Sequence, residues 1–202
     1  MMKLMNNDTS VQVPVTPTEK KHSFKDDILE TIRFIIIALI IVIPIRVYIA
    51  QPFIVSGASM NPTFETKQYL IVDEISYHVG DPVRGDVVIF KYPKNPKQYF
   101  IKRTIGLPGE TVIVDENGLV TIKNIDGTTF ILDEPYVKYS KGDNVELTLG
   151  PDEYFMMGDN RAGSFDSRSW GPVSRDLIIG RAFLRLFPFS ETSVFPGEFK
   201  QK

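Results

Sequence analysis

The chain has 202 residues, 43% of them hydrophobic and 24% charged, with a formal net charge of −2. That fits one ordinary globular domain with an appended segment, and the near-neutral balance excludes nucleic-acid binding through a basic footprint. There is no cysteine, and the only histidines are His22 and His78. Disulfides, thiolate chemistry and Cys- or His-rich metal centres are excluded, and no metal or cofactor is expected.

Residues 1–26 are polar, with Pro14, Pro17 and the cluster Lys20, Lys21 and Lys25; they read as a disordered tail. Residues 27–50 turn apolar. The uninterrupted core, Phe34 to Ile45, is short for a membrane span. Ile28, Leu29 and Ile32 extend it on one side, and Val47, Tyr48 and Ile49 on the other. Arg33 and Arg46 can snorkel to opposite interfaces. No small-x-small cleavage site follows, so a retained single-pass anchor is expected rather than a removed signal peptide. More basic residues precede the core than follow it. The N-terminus is therefore expected in the cytoplasm, with residues 51–202 on the outer face of the cytoplasmic membrane.

Past Ala50 the pattern predicts strands. Tyr69–Val72, Asp86–Phe90, Tyr99–Ile101, Thr111–Val114, Leu119–Ile122, Thr129–Leu132 and Val145–Leu149 are runs rich in β-branched or aromatic residues, punctuated by turn formers such as Asn117-Gly118 and Asp126-Gly127. No long segment of helical period appears. The aromatic run Phe183–Phe189 reads as a core strand rather than an interfacial patch, Trp170 as core, and Arg84-Gly85-Asp86 as a turn. The expected fold class is mainly β, an antiparallel β-sheet catalytic domain with a small β insertion behind one N-terminal transmembrane helix.

Ser59 lies on a Gly-containing turn fourteen residues past Ile45, at most ~46 Å from that end of the apolar core at ~3.3 Å per extended residue. A serine hydroxyl needs an adjacent base to act as a nucleophile. His78 is one candidate, in the turn-like Tyr77-His78-Val79-Gly80. Lys102 is the other, on an apolar strand whose alternation puts Phe100, Lys102 and Thr104 on one face. A lysine serves as a base only if burial lowers its pKa. The loop Met157–Gly171 gathers turn formers and charges, and an Asp166–Arg168 ion pair beside Ser164 would suit a rigid polar scaffold.

Four ordered segments resemble the sequence boxes of the bacterial type I signal peptidase (leader peptidase) family. They are Ser56-Gly57-Ala58-Ser59-Met60-Asn61-Pro62-Thr63, Arg84–Phe90, Ile101–Glu110, and Gly158-Asp159-Asn160-Arg161 through Trp170-Gly171. The resemblance implies a serine endopeptidase that removes signal peptides from secreted preproteins through an acyl-enzyme, with Ser59 as nucleophile and Lys102 as general base. It further implies that Ser164 orients the lysine amine and that Asp166 and Arg168 form a structural pair. The catalytic core would be residues 51–110 and 151–190, the insertion 111–150, and the C-terminal tail 191–202. Gly57 stands where the Gram-negative branch has a serine that helps form the oxyanion hole. This and the single anchor resemble the short Gram-positive branch, with a hole made of backbone N–H groups.

Substrate side chains would enter apolar pockets from among Phe53, Val55, Met60, Phe100 and Ile101, with the peptide added as a strand beside Gln51–Ser59 or Gln98–Lys102. The expected partners are preproteins, membrane lipid and the secretion translocon. The rival readings are an inactive membrane-anchored β-domain that binds secreted chains and a self-cleaving Ser-Lys protease.

Overall fold

The structure is a computed structural model that describes residues 24–44 and 50–199. It falls into two units that divide between residues 41 and 42. The first contains most of helix α1, Phe24–Pro44. The expected tail, 1–26, lies outside the described residues except for its last three, which open this helix. The helix is described to Pro44. Asp26, Asp27, Glu30 and Arg33 occupy its first half. Among the described residues no helix is long and apolar enough to cross a membrane. The expected 27–50 anchor is thus represented by an apolar helix with a charged first half, and residues 45–49 of it lie outside the described residues.

The second unit is built from antiparallel strands and short turns. Its strands are β1 (Ala50–Ile54), β2 (Tyr69–Asp73), β3 (Val87–Tyr92), β4 (Asn95–Gly106), β5 (Thr111–Val114), β6 (Val120–Lys123), β7 (Thr129–Ile131), β8 (Val145–Thr148), β9 (Glu153–Met157), β10 (Val173–Ser174), β11 (Ile178–Phe187) and β12 (Ser193–Val194). They form two sheets. The larger runs β1-β2-β11-β3-β4-β9-β10, with β12 beside β11, and the smaller runs β7-β6-β5-β8. Two four-residue helices, α2 (Ser76–Val79) and α3 (Ser167–Trp170), complete it.

The smaller sheet follows the alternation of its sequence. Val112, Val114, Val120 and Ile122 turn inward and form one core with Ile105, Phe155 and Met157 of β4 and β9. The larger sheet has a core on each face. Val87, Ile89 and Ile101 face Val55, Met60, Phe64 and Leu70, whereas Val88, Phe90 and Phe100 face Trp170 and Val173. A sheet packed on both faces reads as a continuous apolar run rather than an alternating one. This explains both the compact Val87-Val88-Ile89-Phe90 signal and why Tyr154-Phe155-Met156-Met157 escaped notice among its loop neighbours.

Two expectations change at the C-terminal end. The run Phe183–Phe187 is a strand, paired with β2 and β12, but Phe183, Leu186 and Phe187 are exposed and Phe189 is 79% exposed. Pairing satisfies the backbone on both edges without covering both faces. The expected tail from residue 191 is instead laid into the domain through β12. The Gly197 carbonyl accepts a 2.6 Å hydrogen bond from Arg103, and the Phe199 ring packs edge-on to Tyr136. Gly85, at φ +94°, lies so close to the Phe199 carbonyl that a Cβ would come within 2.1 Å of its oxygen. The Arg84-Gly85-Asp86 segment is therefore a packed turn, with Asp86 buried and accepting from the Tyr77 hydroxyl at 2.7 Å.

Candidate active site

β1 ends at Ile54, and the chain leaves it into the turn that carries Ser59. The Val55 and Lys67 N–H groups close this turn against Gln68 and Val55. Gly57 adopts φ +95°, a region costly for any residue with a Cβ. Its N–H and carbonyl are both engaged by the Thr66 hydroxyl. Gly57 therefore shapes the turn, and its N–H is not free for a substrate oxygen. Among the described residues the Ser59 N–H donates to no acceptor. The far side of the turn is fixed by Asn160: its N–H donates to the Ser59 carbonyl and its side-chain amide to the Ala58 carbonyl, each at 3.0 Å.

Lys102 arrives from β4. Its amine donates to Ser59 Oγ at 2.7 Å and to the Ile101 carbonyl at 3.0 Å. The residue is 4% exposed and its amine lies over the Phe100 ring, 5.2 Å from the centroid. Among the described residues it makes no ion pair. Burial pushes the amine down to about 8, against the opposing pull of the Asp166 and Asp159 carboxylates. A neutral amine has a lone pair, so the same contact can then run from the Ser59 hydroxyl to the lysine nitrogen. His78 is exposed on α2, its ring bonded to the Glu74 carbonyl at 2.9 Å, and it makes no contact with Ser59.

The supporting residues gather in one loop. The Arg168 guanidinium grips Asp166 at two points, 2.8 and 2.9 Å, and the Arg168 and Gly158 N–H groups donate to the same carboxylate at 3.3 and 3.1 Å. Burial favours the protonated Asp166 carboxyl, but its hydrogen bond and ion pair with Arg168 outweigh this and hold it below the usual carboxylate range, helped by the Ser164 hydroxyl and Gly158. Ser164 does not bond Lys102. Its enclosed hydroxyl has no partner of ordinary hydrogen-bond geometry, although it lies near enough to Asp166 to act on that carboxyl. Beneath this lies a pair that is fully buried on both sides. Arg103 donates to Asp159 at 2.9 and 2.6 Å, and Thr63 donates to the same carboxylate at 2.5 Å.

Gly158 sits where these parts meet. A Cβ there would lie 2.3 Å from both the Ser59 carbonyl oxygen and Ser164 Oγ. Gly158→Ala must therefore displace the Ser59 turn. It is expected to lower kcat/KM by at least about tenfold and to cost about 1–3 kcal/mol, read from substrate cleavage and from the urea midpoint. A variant with wild-type kinetics would show that the turn tolerates the shift.

Ser59 and Lys102 open onto a cleft of about 290 Å3. Phe53, Val55, Phe100 and Ile101 are among the residues that line it, with Leu70, Ile89, Tyr99, Gly163 and Phe165. Met60 does not; at 1% exposure it is a core plug below the turn. Sequence reasoning also passed over Arg103, Asn160 and Phe165. Arg103 carried a signal, since a second cation in an apolar strand needs a buried partner.

The family model described as "Signal peptidase, peptidase S26" matches residues 28–187. Signal peptidase I of Leptolyngbya laminosa is 36% identical over 87% of this chain and 87% of its own. Signal peptidase I T of Bacillus subtilis is 36% identical over 87% of this chain and 94% of its own. Signal peptidase I of Bacillus licheniformis is 35% identical over 86% and 96%, respectively. With its antiparallel β architecture and a match that runs from the first helix to the end of β11, the chain belongs to the bacterial type I signal peptidases of the peptidase S26 family.

Proposed function

We propose that the protein is a signal peptidase whose nucleophile is Ser59 and whose general base is Lys102. The observation that carries this reading is the 2.7 Å contact between a lysine amine in an apolar setting and a serine hydroxyl at the mouth of a cleft. Neutral Lys102 takes the Ser59 proton as Oγ attacks the carbonyl of the last signal-peptide residue. The tetrahedral oxygen is stabilised by backbone N–H groups that include that of Ser59. Lys102 passes the proton to the leaving amine, giving the acyl-enzyme, and then activates the water that releases it. Asn160, Asp166 and Arg168 keep the turn and loop in register.

The apolar helix and the segment after it anchor the chain in the cytoplasmic membrane, with the catalytic unit on the outer face. There it meets preproteins whose cleavage sites follow their own apolar segments, delivered by the translocon. The peptide lies as an added strand against β4, and the pocket of Val55, Leu70, Ile89 and Ile101 takes small side chains at positions −1 and −3 of the substrate. The full chain in lipid is expected to cut a preprotein carrying Ala at both positions once, after the −1 residue. Replacing that −1 Ala by Phe should reduce the rate by about 10²-fold or more. Equal cutting of the two would overturn the assignment of the pocket.

The pH dependence tests the base. With the Lys102 amine pushed down to about 8, roughly a tenth is neutral at pH 7, against about 0.03% for an unperturbed lysine. kcat/KM is expected to rise about tenfold per pH unit below this value and to level off above it. An inflection near ~6.5 would instead point to a histidine base.

A further inference from the structure

Toward β9, β4 is paired only from Arg103 to Gly106. Among the described residues, no strand occupies the edge of β4 from Asn95 to Lys102 on that side. A peptide laid along that edge presents successive side chains to opposite faces. The two faces of β4 differ here. Ile101 belongs to the face of Val55 and Leu70, and Phe100 to the face of Tyr92 and Trp170. Lys102 shares the Phe100 face by alternation, and its amine bonds back to the Ile101 carbonyl to reach Ser59. If residues −1 and −3 occupy the first face, residue −2 must point at the second.

That second face carries an aromatic surface. Tyr92 stacks on Phe100 with centroids 4.8 Å apart, and Phe165 packs edge-on to Tyr92 at 6.0 Å. Phe165 is 54% exposed and lines the same cleft as Ser59 and Lys102. Its position between Ser164 and Asp166 fixes it to the rigid loop of the site. An exposed ring held at the border of a cleft is a ready surface for an apolar side chain.

We propose that Phe165, backed by Tyr92 and Phe100, forms a shelf for the side chain at substrate position −2 and selects large apolar residues there. This rests on the peptidase reading above. The shelf is open on one side, so its preference is graded rather than absolute.

The test uses the full chain in lipid with preproteins that differ only at −2, Ala against Leu, with Ala kept at −1 and −3. The wild type is expected to prefer Leu by about five- to tenfold in kcat/KM. Phe165→Ala should reduce that ratio to about twofold or less. A ratio taken within one enzyme does not depend on how much of the variant is active. A parallel pair with Ala or Leu at −3 should give the same ratio in both enzymes, because that side chain lies on the opposite face. A −2 preference that persists in Phe165→Ala, or a wild type indifferent to −2, would overturn the shelf alone. Absence of any Ser59-dependent cleavage would overturn the functional reading beneath it.

Discussion

Lys102→Met is expected to lose about 10³–10⁴-fold in kcat/KM while the folded protein becomes more stable at neutral pH. The two effects share one cause. Burial depresses the lysine to about 8, so below that pH the folded state holds a charge that it disfavours. The unfolded chain keeps its proton up to about pH 10.5, whereas the folded chain releases it above 8. Between those values the unfolded state binds more protons, and this group's contribution to stability rises with pH. At pH 7 the penalty is roughly 3 kcal/mol, at ~1.4 kcal/mol for each pH unit between the folded and unfolded values. Methionine has a similar length and no charge, so it removes the penalty as well as the base.

Urea unfolding at pH 7 and at about pH 10.5 measures this directly. The stabilising effect of Lys102→Met should be largest at the lower pH and shrink toward the higher. Ser59→Ala, by contrast, should lose at least about 10⁴-fold in cleavage with little change in stability. Retention of more than a few percent of activity by either variant would sink the Ser-Lys mechanism. A Lys102→Met protein destabilised at pH 7 would show that the amine is not desolvated as its 4% exposure implies.

Asp159→Ala should cost about 3–5 kcal/mol, because it strands the Arg103 guanidinium in a site with no exposure on either side. Little else nearby can replace the lost charge. Among the described residues, Arg103 otherwise meets the Gly85 and Gly197 carbonyls and the Tyr136 ring, 3.9 Å away. Activity should fall with stability, since Asp159 also anchors Thr63 just after the Ser59 turn and precedes Asn160, which holds that turn by two bonds. Replacing both partners, as Arg103→Met with Asp159→Leu, should recover part of the stability, because a buried pair is worth much less than the cost of breaking it. Thermal unfolding of the three variants separates these outcomes. An Asp159→Ala protein within about 1 kcal/mol of wild type would mean that water reaches the guanidinium.

The elements most legible in the sequence were those whose periodicity is local. The small sheet could be read from Thr111–Val114 and Leu119–Ile122, since one face of each strand is buried and one is wet. β11 was visible only in part, because its buried face changes partners along its length. Helix α1 announced itself through composition, but its length could not be judged from apolar content while Asp26, Asp27, Glu30 and Arg33 charge its first half. In the site, Ser59 and Lys102 were singled out as a hydroxyl on a turn and a cation in an apolar strand. Their assignment to each other came from family resemblance, because 43 residues separate them and no periodicity spans that distance.

By itself, the sequence determined the β character of the chain, the absence of thiol chemistry, and the residue types available for catalysis, since these follow from composition and short-range pattern. Tertiary structure alone decided that Met60 is a core plug rather than a pocket wall, that Ser164 faces Asp166 without bonding Lys102, and that the C-terminal segment closes over Arg103. Each of these depends on which distant strands share a face. Burial, which lowers the Lys102 amine, is likewise a property of neighbours brought together by the fold.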